Sequence, residues 1–416
     1  MSSLLVLLAL LSLAMLASRR GAFDELAASA TTPVLVLLGV ALSPAALGFL
    51  TPSVVEGLAP ALQVGVCWLA LLAGLRAASR IPTSLSGLRA GSLALVAAAL
   101  SAGAAGLILL AAGALGHPLV DTALKPLVDA ALDAHEHALA SGGALASSAA
   151  LTSSTAGTTA GARAVLPAAL LVGASLAGMP GERTATPVRA AYAAAAELIV
   201  LAAALAAFAL WCGLLRTGIV AGLGVLGAVV VRMLAPARAP AAPAGEPEHG
   251  DEGASAIPVA VAFIAVTTLV AGLSHLAAVP AGVAGFVAGA ASAWGRGDVA
   301  DQLLKTERPV RIVVTVVLAA STPLAFPSVL AGIALGVAVV GVQVLATLAL
   351  AEKSSLLERL AVSVATSTTP LVAVAAFSLA NVDGAHRLLP AVVIAVSLAD
   401  AVSFAFSLAA HRRTAR

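Results

Sequence analysis

Glu197 is the residue of this chain whose chemistry is easiest to infer, because it is the only charged residue in the apolar stretch 190–211. Inserting a carboxylate into the middle of a membrane span costs about 2.5–3.5 kcal/mol, so an intramembrane carboxylate commonly belongs to an ion or proton pathway. A carboxylate binds either a proton or a cation, and reversible ion binding is therefore the predicted chemistry at Glu197. A purely structural role, with the carboxylate hydrogen-bonded to Ser or Thr at a helix interface, is the alternative.

Two further polar features lie in apolar surroundings. Asp400 falls in the last apolar stretch, close to Ser397 and Ser403. A structural hydrogen bond or a contact between two copies of the chain is the favoured interpretation, and ion binding is the alternative. The string TSTTP, residues 366–370, puts four hydroxyl groups before a proline. These hydroxyls either line a polar cavity or donate to carbonyl groups of their own helix.

Other residue types give no catalytic or metal site. Asp129, Asp133 and His137 recur every four residues, a spacing that could hold a divalent metal, but the solvated face of an amphipathic helix explains the same pattern, and we predict no metal site. Cys67 and Cys212 lie in apolar runs and are interpreted as small buried hydrophobic residues. The sequence has no GxxxxGK[ST], HExxH or GxSxG motif, so neither an enzyme nor a cofactor is predicted.

The composition indicates that these residues are positioned by a membrane protein. The chain is 61% hydrophobic and only 10% charged, whereas soluble domains carry about 25% charged residues. A polar coat over a soluble core cannot be built from this composition. The net charge is +2 and no basic cluster is interleaved with aromatic residues, so a nucleic-acid partner is not expected.

Thirteen stretches are apolar enough to cross the bilayer, taking about 20 residues as the length of a span. Their approximate bounds are 2–17, 32–50, 58–75, 90–115, 162–180, 190–211, 217–234, 256–273, 277–294, 310–328, 330–350, 360–381 and 388–410. With the N-terminus outside, all Lys and Arg fall on the inner side except Lys125, Arg163, Arg216 and Arg387. This charge bias predicts a cytoplasmic C-terminus and, with the alanine-rich composition, a multi-pass protein of a bacterial inner membrane.

The same pattern predicts six regions along the chain. These are N-terminal spans in 1–115, an extracytoplasmic amphipathic and Ser/Thr-rich insert in 116–161, first-half core spans in 162–234, a Pro-rich cytoplasmic linker in 235–255, second-half spans in 256–410, and a cytoplasmic tail in 411–416. The linker cannot continue a helix past Pro236. Apolar spans are interrupted at 173–181 in the first half and at 321–323 in the second, and such breaks indicate transport sites.

The order of these features resembles the monovalent cation:proton antiporter superfamily. Residues 33–50 followed by 58–77 look like the family's opening pair of helices, with Arg76 at a position that the family gives to an acidic residue. Residues 171–180 resemble a broken crossing helix, and Glu197 falls where the family keeps its ion-binding aspartate. Residues 271–293 resemble the family's Gly-rich helix, and 316–326 fall where the second crossing helix is expected.

The resemblance implies an all-α polytopic fold of inverted repeats, with two discontinuous helices that cross near the midplane, and a homodimer in the lipid bilayer. It implies a secondary transporter that exchanges sodium or potassium for protons by alternating access. Glu197 would bind the ion, with Ser175, Ser321, Thr322 and Asp400 as possible secondary site residues. The family's acidic pair is reduced to Glu197 alone. The alternative is therefore a non-transporting relative that acts as a membrane scaffold or partner subunit.

Overall fold

A computed structural model describes residues 24–79, 85–114, 166–176, 187–234, 252–293, 306–322, 326–349, 369–380 and 385–414, and the single positions 6, 10, 12, 303, 360 and 382. These residues form twelve helices and no strand. The helices are α1 (Asp24–Leu42), α2 (Pro52–Ser79), α3 (Leu85–Ala114), α4 (Leu166–Leu176), α5 (Pro187–Cys212), α6 (Leu214–Leu234), α7 (Glu252–Leu276), α8 (Ala281–Ser292), α9 (Glu307–Ser321), α10 (Phe326–Ala349), α11 (Thr369–Leu379) and α12 (Ala385–Thr414).

The helices follow the predicted apolar stretches closely. Twelve of the thirteen predicted spans each correspond to one helix, although the span 310–328 also reaches the first three residues of α10, and the first span, 2–17, lies outside the described residues except for three positions. Six helices, α2, α3, α5, α6, α10 and α12, are long and apolar enough to cross a membrane. Large apolar side chains such as Leu214 and Leu215 are exposed on the outside of the bundle, 81% and 83% respectively. An all-helical, membrane-embedded protein is the architecture that these observations support.

Close backbone contact between α2 and α8 forms the centre of the bundle. A Cβ atom added at Gly285 would lie 2.5 Å from the Cys67 carbonyl oxygen, and Cβ atoms at Gly74 and Gly289 would collide with the backbone of the facing helix. Small residues permit this approach, and dispersion contacts replace the hydrophobic driving force that is weak between helices in lipid. The Gly-rich sequence 271–293 is therefore explained by helix packing.

Helix directions follow from these contacts. Successive residues along α8 contact successive residues along α2 in the same N-to-C order, so these two helices are parallel. The Gln63 side-chain amide of α2 donates to the Leu379 carbonyl at the end of α11, 3.4 Å away, whereas Thr369 at the start of α11 lies beside Ala73. Helix α11 is therefore antiparallel to α2, and the relative directions of α2, α8 and α11 agree with the predicted alternation of spans.

One of the two predicted interruptions falls at a helix end. Most of the other, 173–181, lies outside the described residues, but Gly173 itself is helical and packs against the backbone of α3 at Ala102. Helix α9 stops at Ser321, and Thr322 is extended. The insert 116–161 and most of the linker 235–255 lie outside the described residues. Helix α6 ends at Leu234, before Pro236, and α7 begins at Glu252.

Candidate functional site: a buried charge triad

Three helices bring their charged residues to one point inside the bundle. Arg76 lies in the last turn of α2, Glu197 in the first half of α5, and Glu307 is the first residue of α9. The end of α2 and the beginnings of α5 and α9 therefore lie on the same side of the protein. We call Arg76, Glu197 and Glu307 the charge triad.

The guanidinium group of Arg76 lies between the two carboxylates. Its Nε and Nη2 atoms lie 3.0 and 2.8 Å from Oε1 of Glu197, and its Nη1 atom donates to Oε2 of Glu307 at 3.0 Å. One edge of the planar group thus faces α5 while another nitrogen faces α9. Arginine suits this position because its donors point in fixed directions and its charge is permanent.

The triad is almost completely removed from solvent. The exposed fractions are 3% for Arg76, 1% for Glu197 and 4% for Glu307. Removing ions from water costs several kcal/mol for each ion, and the cost is recovered only when opposite charges meet at close range with good geometry. Two carboxylates and one guanidinium sum to −1 within the triad.

Helix packing fixes the neighbourhood of each triad member. Next to Glu197, Ala196 and Tyr192 of α5 are buried in a second hydrophobic cluster with alanines of α3. At the start of α9, the indole nitrogen of Trp68 in α2 donates to Oγ1 of Thr306 at 3.0 Å. This bond ties the residue before Glu307 to the helix that carries Arg76. The triad thus lies in a densely packed frame.

Glu307 is a member of the site that the sequence did not indicate. It lies three residues before the predicted span 310–328 and looks like a charge in a connecting loop. In the structure it begins α9, where a negative side chain interacts favourably with the positive end of the helix dipole. Of the triad, the sequence singled out Glu197 as a lone charge in an apolar run and placed Arg76 directly after an apolar stretch, but it gave neither of them a partner.

The predicted secondary residues make local hydrogen bonds. The hydroxyls of Ser175, Ser321 and Thr322 each donate to the carbonyl three residues earlier in their own helix, at 2.9 Å in every case. None of these bonds connects them to the charge triad. Asp400 is 5% exposed on α12, a helix that packs mainly against α10, α11 and α1. A role of these four residues in ion binding stays a prediction.

No protein-family model and no curated protein matches this chain. The antiporter resemblance therefore stays a prediction, and function has to be argued from the charge triad. Within the described part of the chain, no group of three His, Cys, Asp or Glu residues could hold a metal ion. The predicted acidic cluster around Asp129 and His137 lies outside that part.

Proposed function

We propose that this protein is a secondary active transporter that exchanges a monovalent cation, sodium or potassium, for protons, with Glu197 as the ion-binding carboxylate. The observation that carries the proposal is that two buried carboxylates share the guanidinium of Arg76. A proton or a small cation can bind a carboxylate in place of the guanidinium. The two ions then compete for one group, which is the requirement for exchange.

Glu307 gives the proposed site a way to open. A buried arginine that lost its only carboxylate would be strongly destabilised, because breaking a buried ion pair costs about 3–5 kcal/mol. Arg76 already contacts Glu307 at 3.0 Å, so it keeps one ion pair when it moves away from Glu197. In the proposed cycle Arg76 pairs with both carboxylates in the resting state and with Glu307 alone when Glu197 holds an ion.

Alternating access would require the helices around the triad to move relative to one another. The triad joins α2, α5 and α9, so a change in its ion pairs alters contacts between all three helices. The proposed fold is the one that the resemblance to cation:proton antiporters implies, with inverted repeats and discontinuous helices α4 and α9. The protein would be a homodimer with thirteen spans in an inner membrane. In the proposed topology the N-terminus is outside. The end of α2 and the beginnings of α5 and α9 then lie on the cytoplasmic side.

Exchange in vesicles tests this proposal. The purified protein would be reconstituted with an internal pH dye, a proton gradient imposed, and sodium, potassium or lithium added outside. We expect cation-dependent dissipation of the gradient by the wild type and none by Glu197→Gln. Glu56→Gln is the matched control, because Glu56 lies on α2 but is exposed. Normal exchange by Glu197→Gln would rule out Glu197 as the ion site.

A second function is favoured by the same ion pairs. Arg76 occupies the Glu197 carboxylate and joins three helices, as expected of a structural element in a scaffold or partner subunit that has lost transport. This reading predicts no cation-dependent flux from the folded wild type alone. It also predicts that Glu197→Gln changes stability and leaves proton flux at the background of empty vesicles. Flux from the purified wild type would exclude it.

A further inference from the structure

A small, partly open cavity lies near the charge triad. Its volume is about 20 Å³, and it is lined by residues of α2, α5, α8 and α11. A cavity needs about 10–15 Å³ of such volume to hold one water molecule. The cavity therefore has room for one water molecule.

The position of the cavity along two helices relates it to the triad. Ala73 of α2 and Val200 of α5 line the cavity, and each lies three residues from a triad member, Arg76 and Glu197 respectively. Three residues of α-helix rise about 4.5 Å, close to one turn. The cavity thus lies one turn from the Arg76–Glu197 ion pair, on the side away from the C-terminal end of α2.

One polar side chain lines the cavity. Thr369 is 4% exposed, and its Oγ1 atom has no hydrogen-bond partner among the protein groups that the structure describes. A buried hydroxyl without a partner costs about 1–3 kcal/mol, so each such group calls for an explanation. This hydroxyl differs from those of Ser175, Ser321 and Thr322, which donate to their own helices at 2.9 Å.

The beginnings of two helices supply further hydrogen-bond donors. Thr369 is the first residue of α11, a helix of eleven residues, and Gly282 and Val283 of the first turn of α8 line the same cavity. Backbone N–H groups in the first turn of a helix have no acceptor within that helix, although the Val283 N–H already donates to the carbonyl oxygen of Pro280 at 3.1 Å. Pro280, which precedes α8, offers no side-chain cap. The cavity is therefore surrounded by apolar side chains, one hydroxyl and two helix N-termini, a set that suits a neutral oxygen ligand.

We propose that this cavity is a binding site for one ordered water molecule, held by Thr369 Oγ1 and the N-terminus of α11, and that this water relays protons between Glu197 and the open side of the cavity, accepting one proton as it gives up another. The role in proton delivery rests on the proposed function, whereas the water site itself does not. Water serves here because it can accept from the helix N-terminus and donate toward a carboxylate. Thr369 is a positioning residue, since it acts on Glu197 through the water.

Two substitutions separate the hydroxyl from the shape of the side chain. Thr369→Val keeps the volume but removes the hydroxyl, and Thr369→Ser keeps the hydroxyl but removes a methyl group. Ser274→Ala is the matched control, because Ser274 is a fully buried hydroxyl with no described partner that does not line the cavity. All proteins would be compared in the vesicle assay and in experimental density maps at a resolution that shows ordered water.

In the vesicle assay, we expect Thr369→Val to slow proton exchange about three- to tenfold, the factor corresponding to one lost hydrogen bond, with an unchanged KM for the cation. Thr369→Ser and Ser274→Ala should exchange at the wild-type rate. In the density maps, the wild type should show a water within hydrogen-bond distance of Thr369 Oγ1, and Thr369→Val should not.

The vesicle assay and the density maps test different parts of the proposal. Water density in the wild type, together with normal exchange by Thr369→Val, would overturn the proton-delivery role. Absence of water density at the cavity of the wild type would overturn the binding site, even when exchange is intact. If the folded wild type shows no exchange at all, the proposed transport function is refuted, and the density alone then decides the water site.

Discussion

Replacing Arg76 by methionine tests the electrostatics of the charge triad most directly. The substitution removes two ion pairs, with N–O distances of 2.8 and 3.0 Å, and changes the sum of charges in the triad from −1 to −2. At an effective dielectric constant of about 20, each attraction between unit charges about 4 Å apart is worth about 4 kcal/mol. Recovering the hydration of the guanidinium offsets part of this loss. We therefore expect a net destabilisation of about 3–5 kcal/mol, as for other broken buried ion pairs.

Glu307→Gln provides the opposite perturbation of the same triad. It changes the sum from −1 to 0, removes one attraction to Arg76, and also removes the repulsion between the two carboxylates. The two changes oppose each other, so we expect this variant to lose less than about 2 kcal/mol. The predicted order of stability is thus wild type first, Glu307→Gln next and Arg76→Met last.

The assay is reversible unfolding of the reconstituted protein in mixed micelles of increasing SDS content, followed by tryptophan fluorescence. Arg232→Met is the control, because Arg232 is an exposed arginine on α6 that donates to a backbone carbonyl 3.4 Å away. It should unfold at the same SDS content as the wild type. A loss of less than about 1 kcal/mol in Arg76→Met would refute the assumption that the triad is a strongly coupled buried group.

Two further predictions concern the frame around the triad. Gly289→Ala should destabilise the bundle by about 1–3 kcal/mol or more, because its Cβ would collide with the Leu71 backbone, whereas Gly272→Ala, with nothing within 4 Å of its Cβ, should be neutral or stabilising in the same SDS titration. Trp68→Phe should lose about 1 kcal/mol with the 3.0 Å bond to Thr306, and an unchanged midpoint in that titration would contradict the bond's contribution.

Hydropathy predicted the helices in the part of the chain that the structure describes. A segment inside a bilayer has to satisfy its backbone hydrogen bonds internally, so every long apolar stretch is expected to be helical. The boundaries of the short helices were less accurate. For α8, the predicted span of 277–294 compares with Ala281–Ser292 in the structure.

The candidate site was only partly predictable, because its members lie far apart along the chain. Glu197 was visible because a single charge in an apolar run needs no partner to be noticed. Its partner Arg76 is separated from it by 121 residues and from Glu307 by 231, so neither ion pair leaves a local pattern. Ser175 and Ser321 were considered as site residues by their place beside the helix breaks. Their bonds to their own helices are the local default for hydroxyls in apolar helices.

The free-energy cost of burying the charge triad helps to decide between the two proposed functions. A buried ion triad is an inefficient way to join three helices, because apolar residues of similar volume often stabilise a protein as well or by about 1–4 kcal/mol more. This chain already joins α2 to α8 without charge, through backbone contacts at Gly285 and Gly289. A scaffold would gain little by placing three ionised groups beside such an interface. Reversible binding of a proton or cation, in contrast, needs a carboxylate that is buried and a counter-ion that can release it. In the proposed cycle, Glu197 is that buried carboxylate, and Arg76, which Glu307 would then hold, is that counter-ion.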